Sequence, residues 1–192
     1  TTPGQNFKAI AYTGTGSSQS ITTNFEPGLI WLKSRTNAYH NHLVDSVRGA
    51  GQVLWSNRNN AEDTNDSSIV SSISSNGFTL GSGAGVNASG ANHIAWVWKA
   101  GGAASSNTDG TITSQVSANQ AKGFSIVSAT APSSNTSFTL GHGLNAAPSF
   151  IIFRQRTASN WAVYHAGLAS AETKYLHLNS TNGAGTATTW NN

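Results

Sequence analysis

The chain of 192 residues contains no cysteine and no methionine. Disulfide staples, cysteine-based zinc sites and thiol catalysis are thereby excluded. Charge is scarce as well. Asp, Glu, Lys and Arg make up 9% of the residues, against roughly 25% in an average soluble protein. The formal net charge is +3, and the few cations are scattered rather than gathered into a stripe that tracks a phosphate backbone, which argues against nucleic acid as a partner. No apolar run approaches the roughly 20 residues of a helical membrane span, and no signal-peptide pattern opens the chain. The opening Thr1-Thr2-Pro3, without an initiator Met, is what an excerpt or a processed product shows. Only seven carboxylates are present, and no Gly-x-Ser-x-Gly elbow. A glycosidase needs two carboxylates converging on one bond. Glu26 and Glu172 stand alone beside turns. The chain is therefore expected not to be an enzyme; a hydrolase, the least favoured reading, would rely on Glu26 or Asp45.

Gly, Ser, Thr, Asn and Ala fill the space that charge leaves, yet six Trp, seven Phe and four Tyr stand in short apolar runs. Such runs bury enough surface to offset the cost of ordering the chain. The run from Phe7 to Tyr12 alternates, as a half-buried strand does. Leu29-Ile30-Trp31-Leu32 and Phe150-Ile151-Ile152-Phe153 are continuous, which predicts strands covered on both faces. Ser67 to Ser74 is β-branched enough to favour strand or loop over a turn of helix. Short strands at even spacing, with Gly and Asn turns between them, predict an all-β sandwich or jelly roll.

The pattern also repeats. Phe7-Lys8-Ala9-Ile10 corresponds to Phe124-Ser125-Ile126-Val127, the stretch Pro27 to Thr36 to Pro148 to Thr157, and Val53 to Asn57 to Tyr175 to Asn179. This predicts a first β-sandwich repeat over residues 1–100, a connecting segment over 101–122 and a second, incomplete repeat over 123–192. The first runs on to a Trp-rich closing strand near Trp96 and Trp98; the second reaches Asn192 before any equivalent. Its missing strands are then supplied by further chain or by a neighbouring subunit.

Several motifs carry a likeness. They are Tyr12 to Gly16, Pro27 to Arg35, Asp45 to Ala50, Asn76 to Gly81, Val86 to Gly90, Ala95 to Gly102, and Gly141-His142-Gly143-Leu144 followed by Ala147-Pro148. Together they resemble a family of repeated domains in structural proteins of marine bacteriophages, especially those of cyanobacteria. The resemblance covers nearly the whole chain. It implies a lectin-like β-sandwich in a tail fibre or virion surface, acting in assembly and host attachment. It carries over no catalytic residue. The partners it implies are further copies of the chain, in a homo-oligomer such as a trimer, and other virion proteins; host surface glycans are the alternative partner, bound by a carbohydrate-binding module.

Individual residues sharpen these alternatives. Trp31, Trp96 and Trp98 are expected in the core, the last two on one strand face with Ile94. Trp55, Trp161 and Tyr164 are the candidate sugar-stacking rings, because an aromatic face packs on the apolar face of a pyranose. No cofactor is expected, but His40 and His42, two apart, are the one spacing that suggests a metal ion. Glu62 to Asp66 gathers three carboxylates, a calcium-clamp pattern without the EF-hand spacing and more simply an Asx-rich surface loop. Arg35, Arg154 and Arg156 are candidate subunit contacts through bidentate hydrogen bonds, with Arg48 and Arg58 as further cations of the same kind.

Overall fold

The computed structural model describes residues 3–133, 136–186 and 190. In the first hundred residues the elements are β1 (Phe7–Thr13), β2 (Gln19–Thr22), β3 (Leu29–Ser34), β4 (His42–Asp45), β5 (Leu54–Trp55), β6 (Val70–Ser74), β7 (Gly77–Leu80), the single-turn helix α1 (Ala84–Asn87) and β8 (Asn92–Trp98). Strands β9 (Ser105–Asn107), β10 (Ser114–Asn119), β11 (Phe124–Ala129), β12 (Phe150–Phe153), β13 (Ala162–His165), β14 (Lys174–Tyr175) and β15 (Gly185–Thr186) follow. The protein is all-β, with every strand pairing antiparallel. Among the described residues no helix is long and apolar enough to cross a membrane.

Two sheets share the main core. One runs β1-β8-β3-β4-β5 and the other β2-β7-β6. Ile30 and Leu32 from β3, Val44 from β4, and Ala95 and Val97 from β8 meet Ile21, Val70, Phe78 and Leu80 of the second sheet. This two-layer packing is consistent with a β-sandwich. Alternation does the sorting, since odd and even residues of a strand face opposite layers. It sorts the tryptophans differently from expectation. His93, Ala95 and Val97 face the core, whereas Ile94, Trp96 and Trp98 lie half-buried on the outer face. Trp31 is half-buried there too, edge-on to Trp96 at 6.1 Å. Sheets packed about 10 Å apart interleave aliphatic side chains of modest size, so the indoles tile the other face.

One polar side chain knits the loops at the end of this unit. Asn87 is fully buried. Its Oδ1 accepts from the Thr15 amide at 2.8 Å, and its Nδ2 donates to the carbonyls of Ser17 at 2.6 Å and Gly81 at 2.7 Å. Gly14 lies alongside, where a Cβ would come within 2.2 Å of the Ala88 carbonyl oxygen, so only glycine fits that approach.

In the second half, β11, β10 and β9 form a sheet, and β12 pairs with β13. The segment expected to connect the two repeats thus contributes β9 and β10. The hairpin β12-β13 has the register of β3-β4. Leu29↔Asp45 through Leu32↔His42 correspond one for one to Phe150↔His165 through Phe153↔Ala162. Smaller details match as well. The Ser46 amide donates to Gly28 O at 2.8 Å, and the Ala166 amide to Ser149 O at 2.9 Å. Gly49 and Ser170 both have positive φ, each accepting a hydrogen bond from the residue three further on. The side-chain oxygens of Asn57 and Asn179 each accept a backbone amide at 3.0 Å, from Asn41 and Trp161 respectively.

The matching strands differ in cover. In β3 every second residue is buried and the rest are half-buried. In β12 Phe150 is 53% exposed, Ile152 36% and Phe153 37%. The expected cover on both faces is absent there, and among the described residues β12 is paired at one edge only, with β13.

Candidate functional site

The seam between the halves gathers most of the residues that the sequence singled out. Trp161, at the start of the β13 hairpin arm, is 6% exposed and packs with Leu43, Leu54, Leu29, Trp31 and Leu178. Its indole N–H donates to the Trp55 carbonyl at 2.8 Å. The Arg154 guanidinium lies over the Trp161 ring, 5.2 Å from its centroid. Arg154 donates to the carbonyls of Arg58, at 2.7 Å, and Asn60. The backbone adds two bonds, from the Glu62 amide to Arg156 O at 2.7 Å and from the Ser159 amide to Asn59 O at 3.0 Å. A planar cation bonded to three carbonyls and a buried indole hold this seam.

These contacts redefine several candidate residues. Trp161 has no free face for a sugar, since its ring fills the seam despite polar neighbours in sequence. Trp55 is half-buried, with His42 at 6.2 Å and the Arg58 guanidinium 5.7 Å from its centroid. Tyr164 is half-buried, with the Trp190 ring at 5.7 Å. Arg154 joins the two halves of the chain. Arg35 and Arg156 are exposed.

The two histidines part company. His40 is exposed and contacts the Asn57 side-chain nitrogen at 3.0 Å. His42 is buried on β4, and a Cβ on Gly85 would stand 2.7 Å from its ring. Burial holds the His42 imidazole down to about 4, and the His40 charge pushes the same way. His93, stacked on Tyr12 at 5.3 Å, is also lowered by burial. Among the described residues no group of three or more His, Asp or Glu gathers to hold a metal ion.

The carboxylates of the 62–66 loop disperse. Glu62 is half-buried, its side chain 7% exposed, and accepts from Arg48 Nη1 at 2.7 Å, while Arg48 Nε meets Asp45 Oδ2 at 2.5 Å. The other Asp45 oxygen accepts the amides of Val47 and Arg48. Asp66 Oδ1 accepts from the Ser68 amide and hydroxyl. This buried Asp45–Arg48–Glu62 network was not legible in the sequence, because 14 positions separate Arg48 from Glu62. Arg48, expected at a surface, is interior. Two open concavities, each under 500 Å³, carry between them one carboxylate, Asp109.

A family model described as "Domain of unknown function (DUF7483)" matches residues 2–192. No curated protein and no solved structure matches the chain.

Proposed function

This chain belongs to the DUF7483 family, and we propose that it is a non-enzymatic structural module of a bacteriophage virion, placed in a tail fibre or elsewhere on the particle surface. In this reading it acts in assembly and host attachment, as a homo-oligomer such as a trimer. The fold is a lectin-like β-sandwich or jelly roll present twice, once complete and once in part. The observation that carries the proposal is the pair of meanders, β3-β4-β5 and β12-β13 with Leu176, which share strand register and turn hydrogen bonds. Leu43 pairs with Leu54 in the first, and Val163 bridges to Leu176 in the second. A duplicated unit clamped by Trp161 and Arg154 is suited to extending a rigid fibre. Scarce charge and the absence of thiols suit a particle exposed to salt and oxidant. The resemblance of the motifs to marine phage structural domains points the same way.

The scattered carboxylates favour a non-catalytic reading, since hydrolysis of a glycoside needs two on one bond. The carbohydrate-binding alternative keeps Trp55 and Tyr164 as half-buried rings. Immunogold imaging of intact particles with antibody to this domain tests the proposal. Label at the tail or surface of the particle is the expected result; particles without label would refute it. A glycan array separates the alternative, because the structural reading expects no saturable sugar signal.

A further inference from the structure

Among the described residues no strand partners the outer edge of β12. Of the five exposed large hydrophobic residues among those described, three are Phe150, Ile152 and Phe153. Edge strands are ordinarily blunted by Lys, Pro or a bulge, because their free N–H and C=O groups template further pairing. Phe150–Phe153 contains no charge and no proline, and its register with β13 runs unbroken.

The corresponding edge in the first half is filled. There β3 carries β4 on one side and β8 on the other. Leu29, Ile30, Trp31 and Leu32 stand opposite Trp98, Val97, Trp96 and Ala95. Since β12 keeps β3's register toward its hairpin partner, its other edge has the same hydrogen-bonding phase. Among the described residues of the second half, none takes the place of β8.

We propose that the free edge of β12 is a docking site for an extended, uncharged peptide strand of the β8 type, alternating small and aromatic residues. It adds antiparallel to β12, with its main chain supplying affinity and its side chains covering Phe150, Ile152 and Phe153. Phe150, Ile151, Ile152 and Phe153 stand opposite the positions that Trp98, Val97, Trp96 and Ala95 hold in β8. The strand is short. Gly28 lies so near Ala100 that a Cβ on it would come within 2.4 Å of the alanine's own Cβ. The corresponding residue of the second half is Ser149, which has a side chain, so the docked segment turns away before the place of Ala100. The inference rests on the two meanders being copies, and not on the virion assignment.

The test adds a synthetic peptide with the sequence of residues 91–98 to the full chain. The expected result is amide exchange slowed about tenfold or more at Phe150 and Ile152, whose N–H groups face the free edge. No slowing is expected from the peptide carrying Trp96→Pro, which removes a main-chain donor on the side that faces β3 in the first half. The chain has no cysteine, so register is read by disulfide trapping between Phe150→Cys and single-cysteine peptides. Trp98→Cys peptide is expected to trap, and His93→Cys peptide, at the far end of the strand, not to. Unchanged exchange at Phe150 and Ile152 overturns the docking edge while leaving the copy reading standing. Protection with equal trapping at both ends overturns the register, and the copy reading with it. Protection that grows with chain concentration, without peptide, overturns the occupant in favour of like edges pairing.

Discussion

At the scale of single residues, the side chains that matter most are polar ones placed inside. Asn87 satisfies three backbone groups from two loops, and its deletion leaves all three without that partner. A hydrogen bond contributes about 0.5–1.5 kcal/mol net, so the loss of three in Asn87→Ala is expected to lower unfolding free energy by about 2–4 kcal/mol in urea titration. Asn87→Asp is expected to do no better, because a carboxylate gives the Ser17 and Gly81 carbonyls no donor. The sequence shows Asn87 only as part of a Gly- and Ser-rich stretch that reads as loop. Its role depends on residues about 70 positions away.

Histidine sets the acid limit of the fold. His42 sits near 4 when folded and near 6.5 in the unfolded chain. Between those values the unfolded state binds more protons, so stability is complete above about pH 6.5 and falls as pH drops toward 4. A shift of this size corresponds to about 3 kcal/mol once both values are passed. His93, lowered by burial, adds in the same direction. The melting temperature is expected to fall steadily from pH 7 to pH 4, and less steeply in His42→Gln; an identical pH profile in that variant would refute the assignment.

At the scale of elements, the strands were largely legible because period-two alternation and Gly- or Asn-rich turns are local signals. Phe7 to Tyr12, Leu29 to Leu32, Phe150 to Phe153 and Val70 to Ser74 all form strands inside the stretches that the pattern marked. The side of each strand was less legible. Trp96 and Trp98 share a face as parity requires, but which face meets the second sheet depends on packing volume, and the slim residues win it. Matching elements also make a quantitative prediction. Asn57 and Asn179 hold equivalent amides at the same distance, so Asn57→Ala and Asn179→Ala should each cost about 1 kcal/mol. Denaturation of both variants is expected to give costs within a few tenths of each other; a large cost at one site only would separate the two turns.

At the scale of the whole molecule, two sheets make one sandwich-like core, and a second meander is clamped to the outer face of the larger sheet. The clamp escaped the sequence because Trp161, which opens the run Trp161 to Tyr164 just after Asn160, reads locally only as the end of a strand beside polar neighbours. Its partners, Leu43, Leu54 and Trp31, lie more than a hundred positions away. Composition did show the character of the surface, with its scarcity of charge and abundance of hydroxyl and amide groups. The proposed assembly role predicts that this thiol-free, weakly charged β-protein joins further copies of itself. Sedimentation velocity on the purified full chain at high concentration measures this most directly. The expected result is a stable multimer of defined mass; a single sharp boundary at the monomer mass, 19.9 kDa, would contradict the account.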